Sequence, residues 1–157
     1  MIKLYKNEHG ILSYWETWKN EDNSGIIHFG MVGEKGKVIE IKPSMDYDVL
    51  IPKEVNKKAN EGYHEIDDEN QIYLEIQYLV RGFGTEQDID KRHKLEDRMN
   101  ETLGWTGLGH CDGGSIGSGT MEVGCIVVDF DIAERIIKQD LARTEFDGYH
   151  KIVKIDF

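Results

Sequence analysis

The sequence contains little cysteine, little proline, no long apolar run and few positive charges for its number of negative ones. Its 157 residues include 2 Cys and 2 Pro, which excludes a disulfide-stapled scaffold and a proline-rich disordered chain. Apolar runs such as Ile126–Val128 are far shorter than the roughly 20 residues that a membrane span needs. Lys and Arg number 19 against 30 Asp and Glu, a net charge of −11, which disfavours nucleic-acid binding because phosphate attracts basic surfaces.

The beginning of the chain also bears on its compartment. Residues Met1–Glu8 carry charges every few positions and contain no apolar stretch of signal-peptide length. We therefore expect a cytoplasmic protein that does not enter a membrane. In that compartment Cys111 and Cys125 are expected to be small, partly buried apolar residues, and no cofactor is implied.

The first 42 residues predict an antiparallel β-meander. Aromatic and β-branched residues fill the predicted strands, and clusters rich in Gly, Asn and Asp separate them. The predicted strands are 11–19, 26–32 and 37–42, joined by turns at 20–25 and 33–36. Pro43 ends the third strand, and the second half of 44–61 predicts a helix. Pro52 fits the first turn of that helix, and Gly62 fits the position just after its end.

Residues 72–157 predict the order β-α-β-β-α-β, which is typical of a ferredoxin-like fold. A strand at 72–80 is followed by a helix with Thr85 as its N-cap, Asp88 as its capping partner and Gly104 as its stop. A glycine-dense passage, 104–124, then joins two strands as a long hairpin. Asp131 and Glu134 form the capping box of a second helix, and a last strand covers 149–155. The prediction is an α+β chain with one module at 1–65, a linker at 66–71 and a ferredoxin-like module at 72–157.

The first module resembles the WGR domain, which is found in some poly(ADP-ribose) polymerases and many bacterial proteins. Residues Tyr14–Trp18 are similar to the family's first core strand, and His28–Gly36 to its "WGRVGxxG" strand and turn. Residues Lys57–Tyr63 are similar to the "KxxxGY" end of its helix. The resemblance covers about 1–65 and implies the WGR fold. In the polymerases this module contacts DNA.

The naming triplet of that family is altered in this sequence. Phe29-Gly30-Met31 replaces Trp-Gly-Arg, and Met lacks the charge and the forked donors that Arg offers to phosphate. We therefore expect this module to share the fold of the WGR family, and we do not carry over its DNA contact. The second module looks like small ferredoxin-like proteins of bacteria, some of which are immunity proteins against toxins.

Two motifs could carry chemistry. His110-Cys111-Asp112 suggests a thiolate nucleophile or a metal site, and an enzyme that uses Cys111 and His110 is a third hypothesis. Neighbouring side chains of a regular strand point to opposite faces, which argues against direct activation of Cys111 by His110. Zinc needs about four ligands, which this passage does not supply. The glycine-rich segment 113–119 lacks the Lys of a phosphate-binding loop and leads into a strand. We therefore expect neither catalysis nor a metal, and interpret the segment as a hairpin with turns and bulges.

The function predicted from the sequence is a non-enzymatic binding protein that recognises a protein partner, in a bacterial immunity or regulatory role. The negative charge favours a basic partner. The residues expected to contact it are His110, Asp112, Ile116, Trp18, Glu34 and Lys35. The alternative is a WGR-type protein that binds nucleic acid or senses DNA ends. The basic residues expected to contact nucleic acid are then Lys53, Lys57 and Lys58 on the first helix. By strand alternation, Tyr14, Glu16 and Trp18 share one face of the meander.

Overall fold

A computed structural model describes all 157 residues. The N-terminal half, residues 1–65, contains four antiparallel strands and one helix. These are β1 (Ile2–Glu8), β2 (Ile11–Lys19), β3 (Gly25–Met31), β4 (Lys37–Ile41) and α1 (Tyr47–Asn60). The sheet has the order β1-β2-β3-β4, so the predicted meander is confirmed and gains a first strand at its edge.

The C-terminal half, residues 72–157, has the predicted order of elements. They are β5 (Ile72–Leu79), α2 (Glu86–Trp105), β6 (Gly109–Gly117), β7 (Thr120–Val127), α3 (Phe130–Leu141) and β8 (Lys151–Ile155). The sheet order is β6-β7-β5-β8, with every neighbouring pair antiparallel. This is the ferredoxin-like arrangement, and the α+β class is confirmed.

The N-terminal sheet is covered on both faces. Trp15 and Ile27 pack with Ile51 of α1 on one face. On the other face, Tyr5 and Tyr14 belong to the large apolar core of the C-terminal half. The two faces follow from the alternation of side chains along a strand. The sheet is therefore a layer between α1 and the C-terminal half.

Hydrogen bonds fix the two halves against each other. The Tyr5 hydroxyl donates to the Gly107 carbonyl at 2.8 Å, and the backbone N–H of Gly33 donates to the Thr106 carbonyl at 2.8 Å. Gly107 has φ +68° and lies against the Tyr14 ring so closely that a Cβ atom would overlap the ring. The segment after Trp105 thus requires glycine for both its conformation and its packing.

Three predicted helix boundaries are corrected. Helix α1 begins at Tyr47, so Pro52 lies inside it and leaves the Asp48 carbonyl without its usual donor. Helix α2 continues through Gly104 to Trp105. Helix α3 begins after Asp129, whose side chain accepts from the backbone N–H of Ile132 at 2.9 Å, so the predicted N-cap is wrong by two residues.

Other local predictions are confirmed. Thr85 and Asp88 form the expected capping box, and Gly62 has φ +100° just after α1. The glycine-rich passage is a hairpin, but β6 runs to Gly117 and a bulge lies between Cys111 and Gly113. The predicted hairpin with a bulge is therefore confirmed, and glycines 113, 114 and 117 are strand residues. None of the three helices is long and apolar enough to cross a membrane.

Candidate functional site

A cleft of about 470 Å³ opens where the two halves meet. We call it the junction cleft. Its lining residues are Met1, Lys3, Glu16, Trp18, Asn100, Gly104, Trp105, Gly109 and His110. Strands β1 and β2 supply one wall, and the end of α2 with the start of β6 supplies the other. Each half therefore contributes part of one site.

Two tryptophans from different halves meet at this cleft. The ring centroids of Trp18 and Trp105 are 6.0 Å apart, with 75° between the ring planes. Trp105 is 39% exposed, and Trp18 is half-buried. Such edge-to-face pairs are a preferred aromatic geometry. Exposed tryptophan is also the residue type that contributes most often to binding hot spots.

A buried polar network lies beneath the tryptophans. His28 is fully buried, and its ring centroid is 5.0 Å from that of Trp105. Its Nδ1 donates to Oε1 of Glu16 at 2.6 Å, and Lys3 Nζ lies 3.4 Å from Oε2 of the same carboxylate. The other ring nitrogen, Nε2, faces the carbonyl oxygen of Lys35. Both nitrogens of this imidazole are engaged with protein groups and shielded from solvent.

Tyr14 extends the network toward the turn at 33–36. Its hydroxyl lies 3.0 Å from Nε2 of His28 and donates to the Glu34 carbonyl at 2.8 Å. Burial, together with the nearby Glu16 and Glu34 carboxylates, raises the pKa of Tyr14 to about 12. The phenol therefore stays protonated and remains a hydrogen-bond donor. The turn is fixed to the base of the cleft through this side chain.

Gly104 borders the cleft in the last turn of α2. Its φ is not in the left-handed region, and a Cβ atom built there would meet nothing within 4 Å. Glycine in a helix costs about 1 kcal/mol relative to alanine, and the local backbone does not require it here. The absence of a side chain leaves the wall between Trp105 and Asn100 open.

The structure brings together two of the residues predicted to bind a partner. Trp18 and His110 both line the junction cleft. Glu34 and Lys35 are exposed in the neighbouring turn, and Lys35 borders a second depression, together with Glu101 and Asp140. The cleft and this depression share the Trp105 side chain.

The remaining predicted residues lie elsewhere. Asp112 is exposed at the bulge of β6. Ile116, which we expected to be exposed, is half-buried against the C-terminal core, because β6 continues past the predicted turn and directs this side chain inward. On α1, Lys53 and Lys57 are exposed, whereas Lys58 pairs with Glu61 at 2.9 Å.

Cys111 and His110 are arranged as strand alternation predicts. His110 is exposed, whereas Cys111 is half-buried and packs against the core with Cys125. No group of three or more His, Cys, Asp or Glu side chains lies close enough to hold a metal ion.

Of the residues that line the cleft, only Trp18 and His110 were predicted from the sequence; the other lining residues, and His28 beneath them, were not. The register of the sheet brings the polar side chains together, since Glu16 lies opposite Lys3 on β1 and opposite His28 on β3. Their signal was present in the alternation that placed Glu16 on the face of Trp18.

Comparison with known proteins found no matching protein family, curated protein or solved structure.

Proposed function

We propose that this chain is a non-enzymatic binding protein that recognises a basic protein partner, in an immunity or regulatory role. The junction cleft is its contact site and takes an arginine side chain of the partner. The observation that carries this proposal is the meeting of Trp18 and Trp105 at an open cleft, 6.0 Å between ring centroids.

Gly104 supports a binding role for the cleft. A helix end would be more stable with alanine at this position, and the space around a Cβ atom is empty. The glycine therefore has no evident folding purpose. Because Gly104 has no side chain, this part of the cleft wall stays accessible.

Charge and aromatic chemistry select an arginine. The chain carries a net charge of −11, which attracts basic partners over distance. A guanidinium stacks favourably on the face of tryptophan. Trp105 Nε1 donates to the Glu101 carboxylate at 3.1 Å, which places a negative charge beside the exposed ring, in the depression next to the cleft. Within the cleft, the positive charge of Lys3 is already matched by Glu16.

The state of His28 favours binding over catalysis. A general base must reach the proton that it removes. The two nitrogens of His28 contact Glu16, Lys35 and Tyr14 and have no exposed surface. The network therefore serves to hold the shape of the cleft.

A peptide titration tests the proposal. A short arginine-rich peptide is added to the protein at physiological salt, and tryptophan fluorescence follows binding. Gly104→Leu fills the cleft, and Gly148→Leu is the matched control because a Cβ atom at Gly148 also meets nothing within 4 Å. We expect Gly104→Leu to weaken binding by about tenfold or more, as loss of a hot-spot contact does, and Gly148→Leu to match the wild type. Equal binding by all three proteins would refute the proposal, because general attraction between charges would explain it.

A further inference from the structure

The two cysteines of the chain are direct neighbours across two strands. Cys111 lies on the edge strand β6, and Cys125 lies opposite it on β7. Both side chains point to the face of the sheet that α2 covers and pack in the same apolar core. Both are free thiols.

The backbone at Cys111 brings the pair close together. Its N–H donates to Oδ1 of Asn100 at 2.9 Å instead of to the facing strand. Opposite residues that exchange no backbone hydrogen bonds have Cα atoms about 4.5 Å apart, the narrower of the two antiparallel spacings. Disulfides span Cα separations of roughly 4.4 to 6.8 Å. The pair therefore needs little backbone movement to become bonded.

The environment differs between the two sulfurs. Cys111 is half-buried at the edge of the sheet, whereas Cys125 is fully buried. The Cys125 thiol and the Gly113 N–H, 3.4 Å from Sγ, donate to Cys111 and hold its pKa below the usual range against the opposing effect of burial. Cys111 is thus the accessible sulfur that forms a thiolate, and Cys125 is the sulfur placed to react with its oxidised product.

We propose that Cys111 and Cys125 form a reversible oxidation site, which hydrogen peroxide converts into a cross-strand disulfide. The Cys111 thiolate attacks one peroxide oxygen and the O–O bond breaks, which leaves a sulfenic acid and a hydroxide that takes up a proton to become water. The Cys125 sulfur then attacks the sulfenic sulfur, the S–O bond breaks, and the departing hydroxide takes the Cys125 proton as a second water. Two thiols are oxidised and one peroxide is reduced, and exchange with a small thiol such as glutathione reverses the bond.

The position of the pair links this site to the junction cleft. Gly109 and His110, which precede Cys111, line the cleft, and so does Asn100, which accepts a hydrogen bond from the Cys111 N–H. A disulfide ties the beginning of β6 to β7, the central partner of that strand. Oxidation therefore fixes the strand that forms one wall of the cleft. The oxidation site itself stands on the cysteine geometry and does not depend on the proposed function.

Peroxide treatment of the folded protein tests the inference. The protein is exposed to a small excess of hydrogen peroxide, denatured, treated with an alkylating agent and weighed by mass spectrometry. We expect the monomer to lose two hydrogen atoms and to take no alkyl group, and a thiol reductant to restore both alkylation sites. Cys125→Ser is the matched variant, and its Cys111 is expected to gain oxygen because no partner sulfur remains.

The comparison with unfolded chain shows whether the fold places the pair. We expect the disulfide to form at least about tenfold faster in the folded protein than in concentrated urea, because the fold raises the effective concentration of one sulfur at the other. The inference is overturned if wild-type cysteines gain oxygen, if both stay open to alkylation, if the bond forms between two chains, or if urea does not slow the reaction.

Discussion

His28 and Trp105 lie on different halves of the chain and meet edge to face, with 5.0 Å between ring centroids. The partly exposed ring of Trp105 covers the fully buried imidazole of His28. It joins the polar network of the N-terminal sheet to the aromatic wall of the junction cleft. The shape of the proposed binding site thus depends on how the two halves pack.

Replacing Trp105 with alanine should destabilise the protein. The ring packs on Trp18 and His28, and its loss opens the Glu16–His28 pair to water. We expect the free energy of unfolding to fall by about 2 kcal/mol, less than for a fully buried aromatic because the ring is part-exposed. Urea denaturation measures this. Phe83→Ala is the control, since Phe83 is 78% exposed and its loss should change little. A result in which both variants behave alike would contradict the role given to Trp105.

The Glu16–His28 hydrogen bond should contribute more than an ion pair on the surface. A double-mutant cycle with Glu16→Gln and His28→Gln should give a coupling free energy of about 2 kcal/mol, because both groups are buried and one bond joins them at 2.6 Å. The Lys19–Asp48 pair, with side chains 35% and 71% exposed, is the control. Its coupling should stay below about 1 kcal/mol. Equal coupling in the two cycles would argue against a structural role for the buried network.

Stability should decrease at high pH in part through Tyr14. Its pKa is 10.0 in an exposed phenol and about 12 in the folded protein, raised first by burial. The folded state therefore keeps a proton that the unfolded chain loses, so this contribution is complete below pH 10 and is lost as the pH rises toward 12. Unfolding curves between these limits measure the slope. Tyr14→Phe should make it shallower, while the slope due to Tyr5 and Tyr78 should remain, since burial raises their pKa values as well. An unchanged slope would contradict this assignment.

The nucleic-acid alternative can be tested on α1. Lys58 is paired with Glu61, so Lys53 and Lys57 provide most of the free positive charge on this helix, and the uncharged Met31 adds no ionic contact for phosphate. We expect a blunt duplex oligonucleotide to show no saturable binding at physiological salt. Lys57→Glu should therefore make no difference in a fluorescence-anisotropy titration. Saturable binding that weakens steeply with salt and disappears in Lys57→Glu would favour the DNA-binding hypothesis instead.

Local sequence signals predicted the elements better than their ends. Hairpin turns, the Thr85 capping box and the order of the C-terminal half all have short-range causes, and all are present. The start of α1 was missed because proline is favoured in a first turn, whereas packing of Tyr47 and Ile51 on the sheet extends the helix before Pro52. Tertiary contacts decide such boundaries.

The site was only partly predictable for the same reason. Alternation placed Trp18 beside Glu16, and exposure was a reasonable expectation for His110. The cleft itself exists because Trp105 and Gly104, which lie far along the chain, come to that face of the N-terminal sheet. No local pattern contains this relationship. It follows from Gly107, whose lack of a side chain allows Tyr14 to pack against the end of α2.

Indole NMR signals offer the most direct test of the proposed binding site. The chain has 3 Trp, and each gives one Nε1–H resonance. Trp18 and Trp105 line the cleft, whereas Trp15 is 2% exposed in the opposite core and is an internal control. On addition of the arginine-rich peptide, the account predicts saturable shifts for Trp18 and Trp105 and none for Trp15. Binding of the peptide with no change at Trp18 and Trp105, or with equal changes at all three, would contradict it.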